Sequence, residues 1–146
     1  MRLSTKGTYG LRAMVDIAYY QKIGLVSLKD ISVREDISIK YLEKLVNTLK
    51  KEGLILSIRG AKGGYKLARP ANEISIGEIL RALEGNLYPV DCKVLVEEDC
   101  TIEEDCVMKC VWNRINDAIN TAVDTLFLED LVNKVSRDTD IRGCNI

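Results

Sequence analysis

The sequence predicts a mainly α-helical fold with a small β-hairpin wing, that is, a winged helix-turn-helix followed by a long C-terminal helix. Three observations carry this expectation. Amphipathic segments opened by helix-capping residues fill most of residues 5–51. Two short apolar runs flank a glycine-rich basic turn, Arg59-Gly60-Ala61-Lys62-Gly63-Gly64. Apolar residues at helical spacing then form a stripe from Val111 to Val123.

Each element follows in order. Residues 5–21 place Leu11, Met14, Val15 and Ala18 on one helical face. Ser27 followed by Asp30 resembles a capping box and opens a short second helix through Leu28, Ile31, Ser32 and Val33 to Glu35. Ser38 opens a third, with Leu42, Leu45, Val46 and Leu49 inward and Lys40, Tyr41, Glu43, Lys44, Asn47, Lys50 and Lys51 outward. Gly53 ends it, because glycine tolerates the positive φ of a helix stop. The runs Leu54 to Ile58 and Tyr65 to Ala68 make the hairpin, its basic tip exposed, and Pro70 closes it.

Ser75 with Glu78 caps a fourth helix, Ile76 to Leu83, which stops at Gly85. Residues 86–104 show no useful period and carry Asp91, Glu97, Glu98, Asp99, Glu103 and Glu104, which predicts a long loop. A long helix from Asp105 to Asp124 follows, with Val111, Ile115, Ala118, Ile119, Ala122 and Val123 as its stripe, then a short helix from Leu126 to Val135. The expected organisation is a DNA-binding winged helix-turn-helix (1–70), a connecting helix (71–85), a cysteine-rich cluster-binding loop (86–110), a dimerisation helix with a short C-terminal helix (105–135), and a polar tail (136–146) that contains Cys144. Pairing the long helix with its twin would bury Val111, Ile115, Ile119 and Ala122, and a twofold homodimer is the commonest oligomer.

The net charge of −1 hides an asymmetry. Residues 1–70 hold fourteen Lys/Arg against six Asp/Glu, a net of +8, and residues 71–146 hold seven against sixteen, a net of −9. The basic half suits a phosphate backbone, whose neutralisation releases counterions; the acidic half is repelled from it. No apolar stretch reaches the length of a membrane span and the start lacks a signal-peptide pattern, so a cytoplasmic protein without a membrane partner is expected. The absence of histidine removes Ser-His-Asp and Cys-His hydrolytic machinery, and no acid-base pair in a defined pocket suggests an enzyme.

In a helix-turn-helix the second helix enters the major groove N-terminus first. Ser38, Lys40, Tyr41, Glu43 and Lys44 occupy that position: Glu can accept from a cytosine amine, Lys can donate to guanine or phosphate, and Tyr or Ser can bind phosphate. Arg59 at the wing tip suits the narrow, negative minor groove, with Gly60, Gly63 and Gly64 allowing close backbone approach and Lys62 and Tyr65 reaching phosphate. Arg2, Ser4, Lys6 and Tyr9 at the start of the first helix add a second phosphate-binding group. The turn lacks the G-x-x-x-x-G-K-[ST] pattern of a nucleotide-binding P-loop.

Cys92, Cys100, Cys106 and Cys110 crowd into nineteen residues, spaced C-x7-C-x5-C-x3-C. Cys106 and Cys110 fall at i and i+4 on one helical face, so four thiolates can converge on one centre if the loop folds back. Zinc sites favour tight C-x2-4-C knuckles, absent here, and the ferredoxin spacings differ as well. Zinc, a reversible disulfide switch and buried unligated thiols remain alternatives to an iron-sulfur cluster.

With these parts assembled, the chain resembles the IscR family of winged-helix repressors. The likeness rests on Met1-Arg2-Leu3-Ser4-Thr5-Lys6-Gly7-Thr8-Tyr9, on Ile37-Ser38-Ile39-Lys40-Tyr41-Leu42-Glu43-Lys44-Leu45, on the wing Ser57-Ile58-Arg59-Gly60-Ala61-Lys62-Gly63-Gly64-Tyr65, and on Trp112 after the cysteines. It implies a homodimer that binds double-stranded operator DNA, reports cluster supply by loading a 2Fe-2S centre, commonly represses cluster-assembly genes, and has cluster donor proteins as further partners. Cys92, Cys100 and Cys106 match the family's three cysteine ligands in order. The family's histidine, three residues on, is Lys109 here, and Cys110 is the natural substitute. An all-cysteine set can also hold 4Fe-4S. The DNA-binding half and the stretches Leu83-Glu84-Gly85 and Pro89-Val90 also resemble CymR, a cysteine-metabolism repressor that lacks the cysteine loop and works through cysteine synthase. A nitric-oxide or redox-responsive repressor shares the fold. A small iron-sulfur electron carrier is the reading from another class, but such a carrier has no use for Arg59 on a wing.

Overall fold

The computed structural model describes residues 3–90 and 107–135. Helix α1 (Thr5–Tyr20), α2 (Leu28–Glu35) and α3 (Ile39–Lys51) come first, then strands β1 (Ile55–Ile58) and β2 (Gly64–Leu67), then α4 (Ile76–Glu84), α5 (Val107–Asp124) and α6 (Leu128–Val135). A single 3-10 turn, Ala71–Glu73, links the wing to α4.

Local chemistry explains the helix starts. Ser4, Ser27, Ser38 and Ser75 are N-caps whose hydroxyls accept from Lys6, Asp30, Tyr41 and Glu78 backbone N–H groups respectively. Such caps replace partners the first helical turn lacks, and each contributes about 1 kcal/mol. At α4 the capping box is complete, because Glu78 Oε2 also accepts from the Ser75 backbone N–H at 3.0 Å. At α2 it is incomplete: Asp30 Oδ2 accepts from the Ser27 hydroxyl at 2.7 Å, since the shorter acid does not reach the backbone. Between α2 and α3 the chain turns at Asp36, which takes the left-handed conformation (φ 54°). The Ser32 hydroxyl donates to the Ile37 carbonyl at 2.6 Å across this turn and fixes the entry to α3.

One apolar core joins nearly all elements. Met14 and Ile17 of α1, Ile31 of α2, Leu42, Val46 and Leu49 of α3, Ile55 of β1, Ile79 of α4 and Leu128 of α6 all lie within it. Two buried carboxylates pin α1 to α2. Arg34 holds Asp16 through two hydrogen bonds and stacks 3.9 Å above the Tyr20 ring, while Arg12 Nε donates to Glu35 Oε2 at 2.8 Å. Hydrogen bonding to Asp16 raises the pKa of Arg34 against the opposing effect of burial. A buried acid is tolerable only when paired in this way.

The antiparallel wing aligns Ile55 with Leu67 and Ile58 with Gly64. A third segment joins it: Tyr65 and Val26 exchange backbone hydrogen bonds at 2.8 and 3.0 Å, anchoring the wing to the α1–α2 connection. The strands start and stop within one residue of the expected runs. The last helix begins at Leu128 rather than Leu126, because Leu126 and Phe127 pair in extended form with the chain around Ser75. Ile76 N–H donates to the Leu126 carbonyl at 2.8 Å and Leu128 N–H to the Ile74 carbonyl at 2.9 Å. Sequence periodicity does not register such a long-range pairing.

Candidate nucleic-acid interface

Helix α3 presents Lys40, Glu43 and Lys44 to solvent, with Asn47 a turn further on. Its inward set, Leu42, Leu45, Val46 and Leu49, is buried as the spacing predicts. Ser38 is exposed, and its hydroxyl oxygen already accepts from Tyr41 N–H, which leaves its proton for a partner. Tyr41 differs from a freely projecting side chain. It is half-buried, its ring meets Tyr9 edge-on at 6.0 Å, and its hydroxyl lies 3.2 Å from Thr5 Oγ1. The N-termini of α1 and α3 are therefore neighbours, and Lys6 stands exposed on the α1 side.

Ser4 and Tyr9 have internal duties. The Ser4 hydroxyl accepts from Lys6 N–H and donates to Glu84 Oε1 at 2.7 Å, and the Tyr9 ring packs on Tyr41 and lies 5.7 Å from the Arg12 guanidinium. Arg2 lies outside the described residues. Thr5 bridges α1 to Tyr41, a role whose one signal in the sequence is its place beside Ser4 in the basic opening.

At the wing tip Arg59, Gly60 and Lys62 are exposed. Gly60 has φ +124° and open space around it, so there glycine is needed for the turn itself. The other two glycines serve packing. A Cβ on Gly63 would strike the Ile58 carbonyl oxygen, and one on Gly64 would lie 2.8 Å from the Val26 carbonyl oxygen. Tyr65 is half-buried beside the same Val26 pairing.

Helix α5 has no buried residue, and its apolar surface divides in two. Ile119 and Val123 pack on the core of their own chain. Val111 and Ile115 are 43% and 38% exposed, and with Met108, Ala118 and Ala122, also exposed, they repeat at alternating three- and four-residue steps, the spacing that a helix-pair seam requires. The predicted stripe mixed both sets. Arg81 of α4 ties α5 down: it donates to both carboxylate oxygens of Asp124, at 2.7 and 2.9 Å, and to the Asn120 side-chain oxygen at 2.5 Å. This hydrogen bonding lowers the Asp124 pKa and raises that of Arg81.

Of the four clustered cysteines, Cys110 lies in the first turns of α5 and is exposed, whereas Cys92, Cys100 and Cys106 fall outside the described residues. Among the described residues no three His, Cys, Asp or Glu side chains gather at a metal-binding distance. The exposed Cys110 thiol stands beside Val111 of the exposed apolar set. Also among the described residues, no helix is long and apolar enough to cross a membrane.

Residues 3–134 match the model of the Rrf2 family, iron-dependent transcriptional regulators. The chain is 37% identical, over 97% of its length and 90% of the relative's, to the HTH-type transcriptional regulator IscR of Pectobacterium carotovorum. Among solved structures it is similar to CymR, the global cysteine regulator of B. subtilis, with a TM-score of 0.77, 40% identity, and coverage of 92% of this chain and 98% of that one. It is also similar to T. potens IscR, with a TM-score of 0.73, 38% identity, and coverage of 92% and 88%. A winged helix with basic recognition elements, matched along almost its whole length to these regulators, belongs to the Rrf2 family of transcriptional regulators.

Proposed function

We propose that this protein is an IscR-type repressor that binds operator DNA as a homodimer and responds to an iron-sulfur cluster, 2Fe-2S in preference to 4Fe-4S. Cys92, Cys100, Cys106 and Cys110 would hold the cluster, whose loaded and empty states supply the signal. The observation that carries the reading is Cys110, an exposed thiol at the start of the helix whose seam is also exposed. Cluster ligation there and dimer contact share one rigid element. Lys40, Tyr41, Glu43 and Lys44 would enter the major groove, Arg59 the minor groove, and Lys6 and Lys62 would contact phosphate. Cluster-assembly genes are the expected targets and cluster donor proteins the expected suppliers, and the expected location is the cytoplasm.

A CymR-like repressor of cysteine metabolism is the second reading, favoured by the likeness to the B. subtilis structure. Anaerobic purification, an absorption spectrum, and iron and sulfide counts separate the two. The cluster reading expects a coloured protein with iron and sulfide in equal number, lost on Cys92→Ser and strongly reduced on Cys110→Ser. A colourless protein without iron after cluster reconstitution overturns it and leaves the second reading.

A further inference from the structure

Glu84, the last residue of α4, reaches across to the start of α1. Its Oε1 accepts three hydrogen bonds there: from the Ser4 backbone N–H at 2.9 Å, the Ser4 hydroxyl at 2.7 Å and the Gly7 N–H at 2.9 Å. The approach is built into the sequence of α1. A Cβ on Gly7 would lie 2.6 Å from that same oxygen, and one on Gly10 would strike the Leu83 side chain. Two glycines one turn apart thus let the end of α4 lie against α1. A negative group at a helix N-terminus also satisfies the helix dipole.

This contact is only one residue from the recognition helix. Ser4 caps α1, and the next residue, Thr5, holds the Tyr41 hydroxyl. We propose that Glu84 is a positioning residue for operator recognition: by fixing Ser4 and Gly7 it sets the height of the α1 N-terminus, and through Thr5 it sets the Tyr41 phenol on the DNA-reading face. The inference rests on the DNA-binding reading above and adds a residue that contacts no base or phosphate.

The sign of one measurement decides it. Removing an acid beside a DNA-binding surface strengthens electrostatic attraction to any duplex. A substitution of Glu84 that weakens specific binding must therefore act through geometry.

The probe is a duplex selected by the parent protein from a randomised pool, compared with a scrambled duplex of the same length. Glu84→Ala is expected to weaken binding to the selected duplex about tenfold, with binding to the scrambled one equal or tighter. Glu84→Gln keeps an acceptor oxygen in place and recovers most of the loss. Tyr41→Phe costs about fivefold in the parent and less than about twofold in Glu84→Ala, because the phenol is already released there. Urea unfolding of each variant identifies any that fail to fold, and Glu84→Asp, which keeps the charge but shortens the reach to Ser4 and Gly7, takes the place of Glu84→Ala if that variant does, with the same loss expected. Equal or tighter binding of Glu84→Ala, or of Glu84→Asp in its place, to the selected duplex, or additive losses with Tyr41→Phe, overturns the proposal while leaving DNA recognition intact. A parent protein that selects no duplex overturns the DNA-binding reading and this inference together.

Discussion

Arg34 of α2 holds the carboxylate of Asp16 of α1 through two hydrogen bonds of 2.7 Å, with the Asp16 side chain wholly buried and that of Arg34 29% exposed. The recognition helix hangs from α2 across a short turn, so this pair sets the frame on which α3 is mounted. Replacing Arg34 by Met strands the acid in the core and is expected to cost about 3 kcal/mol, discounted from a fully buried pair because the guanidinium edge is wet. Urea unfolding measures it. Adding Asp16→Leu to the same chain should recover much of the loss, since the penalty comes from the uncompensated charge.

The two faces of α5 predict opposite outcomes for similar substitutions. Ile115→Asp places a charge on the exposed seam and is expected to shift sedimentation from dimer to monomer, with the helical circular dichroism retained. Ile119→Asp places it against the core and should destabilise the fold by about 2 kcal/mol. A monomeric parent protein would contradict the seam assignment.

For DNA contacts, salt dependence separates roles. Arg59→Ala should flatten the dependence of log affinity on log salt concentration by about one unit if Arg59 neutralises the phosphate-lined groove. If Glu43 reads bases as proposed, Glu43→Ala should broaden the selected sequence without flattening that slope. Fluorescence anisotropy across a salt series checks both.

The Arg81–Asp124 pair has a defined pH signature. The Asp124 pKa is lowered by hydrogen bonding from Arg81, so its stabilising contribution is fully present above the ordinary aspartate value of 3.8 and disappears as pH falls through the depressed folded value. Both side chains are substantially exposed, which limits the effect to under about 1 kcal/mol. The stability gap between the parent and Asp124→Asn should hold constant at neutral pH and close in strong acid. A gap that widens with acidification would refute the assignment.

Much of this architecture could be read from local pattern. Ser27, Ser38 and Ser75 announce the starts of three helices by cap chemistry, and Gly53 and Gly85 mark stops that the structure realises with φ of +74° and +85°. The exposure of Lys40, Glu43 and Lys44 follows from helical period alone. What escaped the sequence is contact between distant positions. Nothing in the pattern around Ser4 shows that its hydroxyl donates to Glu84, eighty residues away. Gly63 and Gly64 also have an internal reason that local pattern does not show, since side chains there would meet the Ile58 and Val26 carbonyl oxygens. One apolar stripe on α5 proves to be two, because periodicity counts apolar residues without saying which neighbour covers them.

Leu128 and Val132 close the same core as Met14 and Ile17, so the far end of the chain is a structural member of the module that carries α3. The consequence is genetic. An allele that terminates before Leu128 would lose operator occupancy altogether, however intact its first seventy codons, and would behave as a null. A search for signal-blind regulators that still grip their promoters should therefore yield missense changes gathered at the cysteines and α5, and no nonsense change before Leu128.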